Sequence, residues 1–524
     1  MALATVLLAA ALSSCSPAKS GAQDAANALA GGLSALDVAS LSFTGSKDGK
    51  AATDALRALA KPLEPVRPSV KVKSVDAKDN AATATFSVEW KLGAGSWSYD
   101  TTAALSRKDD IWSAQWTPAL LIKGLADGQT IRVATSYAKR ADILGSGGAV
   151  LVTDRPVIHV GLDKTHVGPE QQPASAKALA ELSGVDPVEY AKQVAAAGAS
   201  AFVETLTIRD DASRTITDEQ LAAIPGASGI KDTLALGPTR TFARAILGTV
   251  GAATAELIDA SKGALHAGDT AGLSGLEQQY DAQLRGTAGI SIRAVPEQNP
   301  TPEQLSAGPV LYSADPKAGT PLTTTISPAL ENLAESILAG ETDTPASIVA
   351  IRPSTGDILA AASSPGSNGY NTAMLGQYAP GSTFKVATSL ALLRKGQTPD
   401  TTEHCTPEVT VDGKVFHNAG TYPSAHLGEI PLREAFAHSC NTAFISARDV
   451  ASQQDLASAA ASLGIGVDSN PGMPAFFGSV PASAEGTSHA ASMIGQGQVL
   501  VSPLAIANVA ASVEQGVRVS PRII

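Results

Sequence analysis

The feature that most restricts the fold is a change of hydrophobic period along the chain. Val70-Lys71-Val72-Lys73-Ser74-Val75, Ala82 to Trp90 and Trp97 to Ala103 alternate apolar and polar residues, with Asp79-Asn80 and Gly93-Ala94-Gly95 between them. Period two broken by turn residues predicts half-buried antiparallel strands. A helical, alanine-rich pattern from Ala25 to Leu41 precedes them, so the unit is α+β. Aromatic residues are only 4% of the chain, yet all 4 tryptophans (Trp90, Trp97, Trp112, Trp116) fall here. Side chains this large, gathered in one stretch, predict that residues 25–135 have a core of their own.

The alternation then gives way to a mixture. From about 137 to 295, extended pieces (Ala149 to Thr153, Val157 to Val160) alternate with helical ones (Asp186 to Ala197, Asp218 to Ile224, Leu273 to Leu284), without a fixed repeat. The Pro-rich run Val295-Pro296-Glu297-Gln298-Asn299-Pro300-Thr301-Pro302 reads as a boundary or surface loop. Beyond it come a helical pattern, Pro328 to Ala339, and two strands, Ser347 to Ile351 and Ile358 to Ser363, joined by a turn around Pro353 and Gly356. The expected division is 1–24 leader and linker, 25–135, 136–300 and 310–524. Three folded units agree with 524 residues at about 150 per domain.

Met1 to Ser14 is an uncharged apolar run ending at Cys15. A bilayer span needs about 20 apolar residues, so this run is too short to cross one. It has the length of a secretory signal's apolar core, and small residues before a cysteine are similar to a lipobox, which makes Cys15 a candidate for lipidation. A basic leader is missing, so the start either lies upstream or is a shortened signal anchor in which Cys15 is incidental. Both alternatives place the folded body outside the cytoplasm. The net charge of −11, with 38 basic against 49 acidic residues and no Lys/Arg cluster, argues against a nucleic-acid surface. The 3 cysteines and 8 histidines contain no Cys-x-x-Cys and no His-Glu-x-x-His, so no metal or other cofactor is expected.

The chemistry concentrates in Ala379-Pro380-Gly381-Ser382-Thr383-Phe384-Lys385, which opens an apolar helix closed by Arg394-Lys395-Gly396. Ser382 is then at a helix N-terminus with Lys385 one turn on, on the same face. A serine hydroxyl needs a base to attack at neutral pH, and an amine whose pKa is lowered by burial can serve. Backbone N–H groups of the first turn can stabilise an oxyanion. Gly376 and Gly381 have the spacing of a phosphate-binding loop, but serine stands where that loop needs lysine. Further on, Ser439-Cys440-Asn441 ends the helical segment Leu432 to Ala437 and offers a second hydroxyl and a carboxamide. The pair could equally cap a helix, but its order after Ser382 and Lys385 favours a shared site.

Ser382-Thr383-Phe384-Lys385 and Ser439-Cys440-Asn441 resemble the first two active-site motifs of penicillin-binding proteins and serine β-lactamases. Gly272-Leu273-Ser274-Gly275-Leu276-Glu277, the hairpin Ile348 to Ala362 and Gly495-Gln496-Gly497-Gln498 are similar to segments of class B penicillin-binding proteins, the monofunctional cell-wall transpeptidases. The tryptophan-rich unit resembles the cone-shaped, nuclear-transport-factor-like domain of the methicillin-resistance type. The implied fold is multidomain α+β: that α+β domain, a mixed α/β pedestal of the dimerisation type, and an α/β transpeptidase domain with helices around an antiparallel sheet. The implied reaction is acyl transfer on peptidoglycan stem peptides, with Ser382 as nucleophile, Lys385 as its base, Ser439 as proton relay and Asn441 holding the substrate amide. β-Lactams would acylate the same serine. The resemblance also implies an anchor on the outer face of the bacterial plasma membrane, and a glycosyltransferase or divisome or elongasome proteins as partners. Cys405 and Cys440 are then a disulfide clamping the second motif or two free buried thiols, since an exported protein permits either.

The family's third motif, Lys-Thr/Ser-Gly, does not occur downstream of Asn441, and Lys19-Ser20-Gly21 matches its letters far too early. The chain is therefore expected to be truncated at its C-terminus or to be a non-catalytic relative, with little turnover as it stands. A serine β-lactamase or D,D-carboxypeptidase, and a β-lactam sensor or cell-wall scaffold, are the alternatives to a transpeptidase.

Overall fold

The period-two segments fold into one sheet. The computed structural model describes residues 17–524 other than 94 and 299. In it Pro68–Lys78, Ala81–Leu92, Gly95–Lys108 and Ile111–Gln115 pair antiparallel in chain order, and Phe43–Thr44 adds parallel to the last of them. Ala82, Ala84, Phe86, Val88 and Trp90 are buried on one face, as the alternation requires. That face is covered by the helix Pro17–Ala35 through Ala22, Ala26, Leu29 and Leu33.

This helix starts at Pro17, ahead of the Ala25 that periodicity indicates, and ends at Ala35 rather than at Leu41. The stretch expected to be a linker is therefore helical, Lys19-Ser20-Gly21 included. Proline suits the first turn of a helix. A side-chain carbon at Gly21 would stand 3.0 Å from the Trp112 ring nitrogen, so a glycine lets this turn sit close to the sheet.

The first core is not confined to the first 135 residues. Gln129–Ser136 pairs antiparallel with Gly289–Pro296, which pairs with Val310–Ala314. Ile292 and Ala294 join the core built on Trp90 and Trp97, and Tyr312 stacks on Trp97 with ring centroids 5.8 Å apart. The Pro-rich run after Val295 thus lies in the link between two antiparallel neighbours of one sheet and is not a boundary. Prolines mark irregular backbone there but cannot report which strands pair on either side. By compactness the described residues divide into two units interleaved along the sequence: one holds those up to Lys139 with Thr254–Asp269 and Arg285–Gly319, the other Arg140–Ala253, Thr270–Leu284 and Thr320–Ile524.

In the second unit the two short extended pieces prove to be one strand, Val150–Asp163, flanked antiparallel by Phe202–Arg209 and Ala227–Leu236. The helices Gln172–Ser183 and Pro187–Ala196 pack on it through Leu179, Tyr190 and Val194. Leu273 to Leu284, expected as one helix, breaks into Gly275–Gln279 and Asp281–Arg285. There the Arg140 guanidinium lies 2.6 Å from the Glu277 carboxylate and 2.8 Å from that of Asp281. Pairing of this kind is what allows Glu277 to be buried.

The hairpin Ser347–Arg352/Asp357–Ser363 forms as expected, with the helix Pro328–Leu338 against it. Asp357 holds Arg522 at 2.7 Å and Arg352 at 2.9 Å. A separate core gathers the helices Lys385–Arg394, Asn441–Ser446 and Gln453–Ser462 around Phe384, Leu392, Phe444 and Leu456. Among the described residues no helix is long and apolar enough to cross a membrane.

Candidate active site

Ser382 sits in the tight helical turn Gly381–Phe384 that leads into the helix Lys385–Arg394. Gly381 adopts φ +56°, and its N–H donates to the Gly495 carbonyl at 2.8 Å. A side-chain carbon at Gly495, itself at φ +67°, would stand 2.3 Å from the Gly381 oxygen, so the backbone contact requires glycine. The Gly495-Gln496-Gly497-Gln498 segment thus fixes the turn that carries the serine. Phe384 points into the core below, which leaves Ser382 exposed and Lys385 buried, at 1% exposure.

The Lys385 ammonium is surrounded by oxygens rather than by a carboxylate. Its Nζ lies 2.7 Å from Asn441 Oδ1, 2.8 Å from the Ser439 carbonyl, 2.9 Å from Ser439 Oγ and 3.3 Å from Ser382 Oγ. It also stands 5.4 Å from the centre of the Phe444 ring. Burial with no anionic partner among these groups disfavours the charged form and pulls its pKa down to about 8. Ser439 Oγ donates to Ser382 Oγ at 2.8 Å, so one amine and two hydroxyls form a closed triangle.

Two short helices present the second motif. Leu432–Ala437 ends just before Ser439, and Asn441–Ser446 begins just after it. Ser439 makes the corner with φ +60°, a left-handed conformation costly for a residue with a side chain. The corner is held from several sides. The Asn441 amide donates to the His417 carbonyl at 3.0 Å, and the Thr442 hydroxyl donates to the Thr406 carbonyl at 2.7 Å. Asn418 accepts from the Thr442 N–H at 3.1 Å. Cys405, on the strand Thr402–Cys405, is joined to Cys440 by a disulfide of 2.08 Å, and both residues are fully buried. Ser382, Lys385, Ser439 and Asn441 are therefore brought together, with Cys405 and Cys440 beside them. Cys15 lies outside the described residues. Sequence reasoning missed Asn418, Thr442 and Phe444, for which no local pattern gives a signal.

Comparison with known proteins gives this geometry a setting. Residues 346–524 match the penicillin binding protein transpeptidase domain, residues 135–324 the penicillin-binding protein dimerisation domain, and residues 21–129 the NTF2-like N-terminal transpeptidase domain. The last part of the chain is thus a penicillin-binding transpeptidase domain. With the other two domains before it, the chain belongs to the class B penicillin-binding proteins. It is similar to the peptidoglycan D,D-transpeptidase PbpA of Mycolicibacterium smegmatis, with 31% identity over 40% of this chain and 49% of that protein. It is also similar to penicillin-binding protein 3 of Bacillus subtilis, with 23% identity over 68% of this chain and 56% of that one. The chain spans about half the length of the mycobacterial relatives it matches. In fold it resembles the Helicobacter pylori structure of a complex between penicillin-binding protein PBP2 and MreC (TM-score 0.57, 18% identity, 75% of this chain and 79% of that one).

Proposed function

We propose that the chain is the acylating part of a D,D-transpeptidase that cross-links peptidoglycan stem peptides. The observation that carries this reading is the buried Lys385 amine, held among Ser382, Ser439 and Asn441 with its pKa pulled down to about 8. A neutral amine at that place accepts the proton of Ser382 as its Oγ attacks the carbonyl carbon of the penultimate D-alanine. The peptide C–N bond then breaks, and Ser439 passes a proton to the departing D-alanine. Asn441 holds the substrate amide, and the Ser382 N–H supports the oxyanion. An amine of a neighbouring stem peptide attacks the ester, forms the cross-link and releases Ser382.

The family's Lys-Thr/Ser-Gly motif is not present after Asn441. It holds the substrate carboxylate and supplies the other oxyanion donor, so these 524 residues alone are expected to turn over slowly. We place the protein on the outer face of the plasma membrane, held by an N-terminal anchor through Cys15 or a signal segment. Glycosyltransferase and divisome or elongasome proteins are the proposed partners. The test is labelling with a reporter penicillin: an adduct mapped to Ser382 by mass spectrometry and absent in Ser382→Ala supports the reading. Rapid hydrolysis of the drug would point to a β-lactamase, and no adduct even with the third motif supplied would leave a sensor or scaffold.

A further inference from the structure

On the outer side of the second motif, two histidines and a glutamate converge. Glu434 and His438 are one helical turn apart, the first within the helix Leu432–Ala437 and the second at its end, and His426 closes the turn Ser424–His426. Glu434 Oε2 lies 3.3 Å from His438 Nε2 and 3.8 Å from His426 Nδ1, and the three donor atoms all lie within 4.8 Å of one another. The two imidazole rings stack face to face, with centroids 3.4 Å apart and planes 20° apart, so both present a nitrogen to one carboxylate. Each side chain is part-exposed, between 34% and 44%.

We propose that His426, Glu434 and His438 bind a zinc ion. Zinc takes imidazole nitrogen and carboxylate oxygen at about 2.0–2.2 Å, which in a tetrahedron sets ligand atoms about 3.4 Å apart. The His438–Glu434 separation is close to that value; to complete the set the His426–Glu434 separation of 3.8 Å shortens and the two rings turn out of their stack, because imidazole lone pairs lie in the ring planes. Two neutral imidazoles and one carboxylate make a borderline donor set of total charge −1, suited to a divalent ion, and the exposure leaves a fourth position for water. The pattern differs from the usual helical His-Glu-x-x-His because one histidine comes from a separate turn.

The ion would join the turn at His426 to the helix that ends at His438, the residue before Ser439. It would brace the left-handed corner in addition to the disulfide. Tyr422, whose hydroxyl donates to the His426 carbonyl at 3.2 Å, supports the same turn.

The test is metal binding to the whole chain, independent of any acylation. Protein stripped with a chelator is titrated with zinc chloride by calorimetry, and with cobalt chloride while the visible spectrum is recorded. One ion per chain with an intense tetrahedral cobalt spectrum is expected, with affinity falling at least tenfold in each of His426→Ala, His438→Ala and Glu434→Gln. Zinc should also raise the melting temperature of the wild type and leave those variants unmoved. No saturable binding by the wild type overturns the proposal, as does unchanged affinity in the variants, which would place the ion on other histidines. If a variant fails to fold, the wild-type cobalt spectrum decides alone: octahedral or absent bands overturn the site.

Discussion

Lys385 Nζ stands nearer to the hydroxyl of Ser439, at 2.9 Å, than to that of Ser382, at 3.3 Å. Ser439 in turn touches Ser382 at 2.8 Å, so the second serine lies within one hydrogen bond of both Ser382 and Lys385, the proposed nucleophile and base. Proton transfer from Ser382 therefore has a direct path and a relayed one. Ser439→Ala should slow acylation by about 10²-fold and Lys385→Ala by about 10⁴-fold, the usual span for a lost proton-transfer group. Rates of reporter-penicillin labelling check both.

The acid limb of the acylation profile follows from the same amine. Only neutral Lys385 can accept a proton, and its pKa of about 8 leaves it mostly charged at pH 7. The labelling rate should rise about tenfold per pH unit below pH 8 and level off above it. A profile that is flat across this range would show that another group is the base.

Gly495→Ala tests the backbone contact under Ser382. The added carbon would meet the Gly381 oxygen at 2.3 Å from a residue at φ +67°, and neither backbone can yield cheaply. A loss of at least about 2 kcal/mol in stability is expected. Labelling of the folded fraction should also fall, because Gly381 positions Ser382. Chemical denaturation and labelling of the same sample separate the two effects.

The Cys405–Cys440 bridge closes a loop of 35 residues that contains His417, Asn418 and His426. Loop-closure entropy of that length corresponds to about 4 kcal/mol. The double variant Cys405→Ala/Cys440→Ala should melt well below the wild type and lose labelling before it unfolds globally. Thiol titration of the denatured wild type should find these two only after reduction.

Glu331 is a buried carboxyl far from this chemistry. Its only described donor is the Ala361 N–H at 2.8 Å. Burial first, and then the nearby charge of Glu335, push its pKa up to about 7 against that hydrogen bond. A carboxyl with a raised folded-state pKa contributes fully below its unfolded value of about 4.5, and loses that contribution as pH rises through 7. Glu331→Gln should therefore be near neutral at about pH 5 and stabilising by about 2 kcal/mol at about pH 8. Urea midpoints at the two pH values measure the difference.

Much of this was legible in the residues. The strands around Trp90 and Trp97 announce themselves by alternation, and the hairpin 347–363 by two apolar runs joined by a turn around Pro353 and Gly356. Ser382, Lys385, Ser439 and Asn441 do so by order and by a helix N-terminus. What stayed hidden depends on contacts between distant segments. The Pro-rich run after Val295 looks like a boundary because local composition cannot show that 289–296 pairs with both 129–136 and 310–314. Pro17 could not be recognised as a helix start without knowing that Gly21 faces Trp112. The stacked His426 and His438 lie on separate elements, so no spacing rule joins them.

The strand Gly289–Pro296, inserted between Gln129–Ser136 and Val310–Ala314, has a practical consequence for anyone dissecting the protein. A fragment cut after residue 135 would lose Ile292 and Ala294 from its core and expose Gln129–Ser136 as an open edge, which invites pairing with other chains. A well-behaved version of this part has to be spliced from three stretches of chain, with designed loops joining the segment that ends at Lys139 to Thr254–Asp269 and that one to Arg285–Gly319.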